Sequence, residues 1–138
     1  MNHLRIDPCT PFGAIITHES GDADIRAIPV AQIMDWIRAY KLVVFRGFRS
    51  LEKQELALYG QDLGEPLQWP FGSINELKVK PDAENYIFTD HAVPMHWDGA
   101  FAGKVPHVIL FQCLVAPDKR DLGGTTFCDT TVILRDAA

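Results

Sequence analysis

The chain lacks any apolar run near the ~18 residues that span a bilayer, and no basic-then-apolar leader opens it. A soluble, cytoplasmic protein with no membrane partner is therefore expected. Cysteine is scarce: Cys9, Cys113 and Cys128 are odd in number, far apart and without CxxC spacing. That argues against a disulfide framework or a thiolate zinc site, and predicts reduced, partly buried thiols. Basic residues are outnumbered, 13 Lys and Arg against 18 Asp and Glu, for a formal net charge of -5. They are scattered and never form a block, so a nucleic-acid partner is not expected. No internal repeat or low-complexity tract is visible.

What is present is enough for one packed domain, 1–138, since 47% of the 138 residues are hydrophobic. Residues 13–17 read as a short strand. Pro29 stands where a first helical residue belongs, and Val30, Ile33, Met34 and Ile37 follow at the spacing of one buried helix face. The run KLVVFR at 41–46, closed by Gly47, reads as a buried strand. Gly47 allows a tight turn after it, and Phe48 reads as a core residue. Ser50 can cap a second helix with Glu52 in its first turn, Leu56, Tyr59 and Leu63 toward the core, and Gly64 as its stop.

After residue 76 the pattern changes to short strand-like runs at 76–80, 85–89, 95–98, 107–115 and 125–128, punctuated by prolines and the Gly123-Gly124 pair. A further helix begins near Thr130. Helices followed by strands indicate an α+β domain built on a sheet sandwich or jelly roll.

Chemistry concentrates in Pro94-Met95-His96-Trp97-Asp98-Gly99. On a strand, residues i and i+2 share a face, so His96 and Asp98 emerge side by side. An imidazole nitrogen and a carboxylate oxygen that close can share a metal ion. With one further His they would form the 2-His-1-carboxylate triad of non-haem Fe(II) sites, which leaves positions open for other ligands. Alone, an HxD triplet is not specific, and the two side chains could simply be hydrogen-bonded to each other.

The surrounding order makes it specific. KLVVFRGF at 41–48, LGEP at 63–66, HWD at 96–98, a long apolar strand and GGTTF at 123–127 together resemble the taurine dioxygenase-like (TauD/TfdA) family of iron(II)/2-oxoglutarate-dependent dioxygenases. The resemblance runs from about Gly13 to the end of the chain. LQWPFG at 67–72, NYIF at 85–88 and VPMHWDGAF at 93–101 are similar to the branch that acts on isocyanide-forming amino-acid derivatives.

The resemblance implies a double-stranded β-helix (a cupin-like jelly roll) with flanking N-terminal helices. It implies that His96 and Asp98 are the first two Fe(II) ligands, and that Thr126 hydrogen-bonds a carboxylate of 2-oxoglutarate, with Thr125 at the usual acidic position. Trp69 and Phe71 fall near the substrate pocket, with core packing the alternative for both. The implied partners are a small organic substrate, such as an amino-acid derivative, and dioxygen, with succinate and CO2 released.

The family supplies its third iron ligand, a His, and the Arg that pairs with 2-oxoglutarate from farther downstream. His3, His18, His91 and His107 do not match that His, nor do Arg120 and Arg135 match that Arg. The jelly roll is thus expected to be incomplete at the C-terminus, as in a fragment or truncated homologue without turnover alone. Open sheet edges would invite association, a homo-oligomer included. Two other readings remain: a non-catalytic binding or interaction module, and a cupin-like enzyme using zinc or manganese.

Overall fold

The computed structural model describes residues 3–70, 72–82, 88–89, 91–100, 103–118 and 123–136. They form two compact units, one of Met1–Ser50 with Gln112–Ala138 and one of Leu51–Phe111. No described helix is long and apolar enough to cross a membrane.

The first unit is organised by a three-stranded sheet of β1 (Leu4–Pro8), β2 (Ala14–His18) and β3 (Val43–Arg46), in that order. β2 is the middle strand, and alternation along it is clear: Ala14 and Ile16 are buried while Ile15 and Thr17 are half-buried. β1 runs antiparallel to it, with Leu4 opposite His18 and Pro8 opposite Ala14. β3 runs parallel to it, with Ala14 opposite Val43 and Thr17 opposite Arg46. Parallel neighbours need a crossover, and the helix α1 (Val30–Tyr40) supplies it.

α1 follows the expected stripe, with Ile33 buried and Val30, Met34 and Ile37 half-buried. Asp35 and Arg38 lie off that face and pair at 2.8 Å. Pro29 sits one position earlier than expected, as the cap, and its carbonyl accepts the N–H groups of Gln32 and Ile33. Aromatic rings run from the helix onto the sheet: Trp36 lies 6.3 Å from Phe45, which meets Phe48 edge-on at 5.8 Å. Phe48 in turn meets the His18 ring at 5.6 Å.

Gly47 is required where β3 ends. Its φ is +77°, and a Cβ there would stand 2.1 Å from the His18 carbonyl oxygen. Beyond it, Ala23 N–H donates to the Gly47 carbonyl and Arg49 N–H to that of Ala23. Asp24 caps the short 3-10 turn Ile25–Ala27 and accepts from the guanidinium groups of Arg26 and Arg49. The Arg26 side chain, chief among these contacts, holds the Asp24 carboxyl well below the usual carboxylate range.

A last helix, α3 (Thr130–Asp136), starts where the sequence suggests. Asp129 accepts the N–H of Thr131 at 3.0 Å and its hydroxyl at 2.6 Å, as an N-cap does. Its carboxylate also pairs with Lys41, at the C-terminal cap of α1.

In the second unit, α2 spans Lys53–Leu63 and ends at Gly64. Its cap is Glu52 and not Ser50. Glu55 reaches back to the Glu52 N–H at 3.0 Å in a reciprocal capping box, which satisfies two end donors where a serine would satisfy one. Tyr59 is buried, with Leu56 and Leu63 half-buried.

The strands expected in the later part of the chain are the main correction. The described residues of 76–80, 95–98, 107–115 and 125–128 carry no regular strand, and 85–87 lie outside the described residues. A strand exists only through the ladder it makes with a neighbour, and β-branched composition alone cannot supply one. Without that ladder, apolar side chains meant for a sheet stay exposed, Val115 to 87%. The described structure is thus a small mixed sheet with helices.

Two outcomes test these contacts. Gly47→Ala should destabilise the sheet unit by about 2 kcal/mol or more, since a left-handed backbone and a backbone clash combine, as chemical denaturation would read. Asp129 is held down to about 2 from an ordinary 3.8, first by the Lys41 hydrogen bond and then by Thr131. Its contribution to stability is therefore complete above pH 3.8 and is lost as pH falls through about 2. Lys41→Ala should raise the Asp129 pKa and move acid unfolding to higher pH, as a carboxyl NMR titration would follow.

Candidate metal centre

The segment carrying His96 and Asp98 is a bent loop and not a strand. Ala100 N–H donates to the Trp97 carbonyl at 3.2 Å, which closes a turn around Asp98 and Gly99. The two side chains nevertheless meet, with His96 Nε2 3.1 Å from Asp98 Oδ1. Side-chain exposures of 45% and 40% leave the pair accessible to a ligand from solvent.

The other ring nitrogen fixes what the pair can do. His96 Nδ1 lies 2.7 Å from the Pro94 carbonyl oxygen, an atom that can only accept. Nδ1 must then carry the proton, so a neutral ring presents the Nε2 lone pair to the carboxylate. Two acceptors 3.1 Å apart repel unless a positive species sits with them, either a proton on Nε2 or a cation bound by both. The His96 pKa is raised, chiefly by the hydrogen bond to the Pro94 carbonyl, which outweighs the lowering by desolvation, with Asp98 adding to the rise.

The separation also suits a metal ion. Ligand bonds of about 2.1 Å set at right angles place neighbouring donors about 3 Å apart. A histidine that binds through Nε2 while donating Nδ1–H to a backbone carbonyl has the usual second support of a metal ligand. His96 and Asp98 therefore fit two adjacent positions of an octahedral ion. Among the described residues no third His, Cys, Asp or Glu joins them, and His91 and His107 are exposed elsewhere.

The other residues singled out from the sequence are placed as follows. Trp69 is half-buried in a tight turn, exchanging N–H to carbonyl bonds with Gly72 at 3.1 and 2.9 Å. Phe71 lies outside the described residues. Beside that turn is an open groove of about 390 Å³, lined by Lys53, Gln54, Ala57, Gly72, Ser73 and Ile74. Neither Trp69 nor the donor pair lines it, so it is not the surface around His96. Thr126 is exposed in the other unit, three residues before the Asp129 cap. All three cysteines are free, and they are exposed where partial burial was expected.

Sequence reasoning missed two features of the site. The Pro94 carbonyl is a backbone atom with no letter of its own. Gly99 had a signal, because Asp-Gly is a turn dipeptide, but the alternation around it favoured a strand.

The chain as a whole is similar to known proteins. The profile of the family described as "Taurine catabolism dioxygenase TauD, TfdA family" matches residues 5–138. The chain is 43% identical over 135 residues to 3-((Z)-2-isocyanoethenyl)-1H-indole synthase of Fischerella ambigua, covering 98% of this chain and 50% of that protein. It is 34% identical over 125 residues to tyrosine isonitrile desaturase of Pseudomonas aeruginosa, covering 90% and 43%. Among solved structures it is similar to PvcB, described as an Fe, alpha-ketoglutarate dependent oxygenase from an isonitrile synthetic pathway. The TM-score is 0.60 at 26% identity, over 76% of this chain and 41% of that one. A further crystal structure of PvcB, from Pseudomonas aeruginosa, gives 0.61 at 27%. The chain spans about half the length of these curated relatives and of the tyrosine isonitrile desaturase of Erwinia amylovora. It belongs to the TauD/TfdA dioxygenase family.

Proposed function

We propose that this chain carries part of an Fe(II)/2-oxoglutarate-dependent oxygenase that oxidises an isocyanide-bearing derivative of an aromatic amino acid. The observation that carries the proposal is the facing of the His96 Nε2 lone pair and the Asp98 carboxylate at 3.1 Å, with Nδ1 committed to Pro94. Support for the substrate class comes from the relatives, which are an isocyanoethenyl-indole synthase and tyrosine isonitrile desaturases.

In this reading His96 and Asp98 are two of the protein's iron donors, and Thr126 holds a carboxylate of 2-oxoglutarate. Trp69, with Phe71, offers aromatic surface to the substrate. The two compact units belong to one domain, whose full form is the jelly roll. When bound, Fe(II) with 2-oxoglutarate and dioxygen would supply the oxidising power for C–H cleavage. Overall, the substrate loses two hydrogens to form a carbon–carbon double bond, 2-oxoglutarate becomes succinate and CO2, and dioxygen supplies one oxygen to succinate and one to water. The chain's own contribution is to keep Nδ1 protonated and Nε2 free, so that the imidazole binds as a neutral ligand beside an anionic one.

A second reading, a non-catalytic module of the same lineage, is favoured by one observation: only two donors converge among the described residues. Iron-dependent succinate formation separates the two readings.

Anaerobic titration with Fe(II) and then 2-oxoglutarate should give the weak visible charge-transfer band of a chelated complex, abolished by His96→Ala or Asp98→Ala. A folded chain with no band, or a band that survives both substitutions, would refute the assignment. Nitrogen-15 NMR of the neutral His96 ring should show the proton on Nδ1 and a bare Nε2. The opposite tautomer would remove the geometric basis for metal binding.

A further inference from the structure

We propose that Gly99 is a positioning residue for the donor pair: its left-handed backbone, packed against the Pro106 ring, aims the Asp98 carboxylate at His96. The inference deepens the reading of His96 and Asp98 as metal donors and rests on it.

Two independent constraints meet at this residue. In the turn closed by Ala100 N–H and the Trp97 carbonyl, Asp98 and Gly99 take the two central positions. Gly99 has φ +82°, the value that a type II turn demands at its second central residue and that side-chain-bearing residues rarely adopt. It is also buried, although Trp97 and Ala100 beside it are exposed.

A Cβ at position 99 would stand 2.7 Å from Pro106 Cδ and 3.6 Å from its Cγ, with the Lys104 carbonyl oxygen at 3.5 Å. A proline ring cannot swing aside as a flexible side chain would, because it is tied to its own backbone. Relief would have to come from moving the 97–100 turn, and Asp98 sits in that turn. His96 is meanwhile anchored separately through Pro94. A displaced turn therefore moves one donor away from a partner that stays in place. Gly99 touches neither metal nor substrate and acts only through Asp98.

The test uses Co(II) alone as the probe on the 138-residue chain, reading paramagnetic broadening of the His96 ring resonances. Gly99→Ala should weaken Co(II) binding by about tenfold or more, the range seen when support of a ligand is lost. The amide spectrum of the β1–β3 sheet should stay unchanged. Adding Pro106→Ala to Gly99→Ala should recover part of the affinity, since clearance returns while the unfavourable φ remains. Ala100→Pro removes the N–H that closes the turn without adding a side chain at Gly99. It should produce the same loss, and it carries the test alone if Gly99→Ala perturbs the whole spectrum.

Unchanged affinity in Gly99→Ala or Ala100→Pro would overturn the inference, as would no recovery in the double variant. Failure of the donor-pair reading looks different: broadening in the unaltered chain would then be absent or insensitive to His96→Ala. That result would remove this inference along with the reading.

Discussion

The sheet unit depends on the parallel pairing of β2 with β3. Parallel strands cannot be joined by a tight turn, so the pairing demands a crossover, and α1 must then lie against the sheet with its apolar stripe inward. Ile16, fully buried in the middle strand, marks where these demands meet. The turn at Gly47 follows from the same geometry, because the chain leaving β3 passes so close to the His18 carbonyl that no side chain fits. Even the aromatic series Trp36, Phe45 and Phe48 follows from it, since the crossover sets helix and sheet faces together.

The candidate centre is built on a different principle. His96 and Asp98 are two residues apart, and their encounter is held by nearby elements, the turn that carries Asp98 and the carbonyl that orients His96. Such local construction explains how the two side chains meet in a stretch with no regular strand. It also leaves the pair half-exposed, where water competes with any ligand. In a half-exposed site, the direction of the lone pairs matters more than the strength of any single contact.

Legibility in the sequence divided along the same line. α1 could be read because its apolar residues repeat at the helical period, and β3 because KLVVFR has no other use for so many β-branched and aromatic residues. β1 escaped notice because Leu4 and Ile6 alternate with charged residues near a terminus, as edge strands do, and only pairing with β2 reveals it. The cap of α2 was misplaced by two positions because a reciprocal glutamate pair leaves a fainter signature than a lone serine. That the HWD triplet brings its His and Asp side by side was readable from their spacing. Its tautomer was not, because the deciding acceptor is a backbone oxygen, and its bend was not, because alternation outweighed the Asp-Gly turn signal.

The contact between Lys41 and Asp129 joins positions 88 residues apart. Closing so long a loop in a disordered chain costs on the order of 4 kcal/mol in entropy, more than an ion pair with an exposed lysine returns. The contact is therefore favourable only after the intervening polypeptide has contracted. The pairings within the sheet join residues much nearer in sequence, such as Ala14 and Val43, and so close far shorter loops. The Lys41–Asp129 contact thus reports how far the chain between the two residues has drawn together, which a contact between adjacent turns could not do.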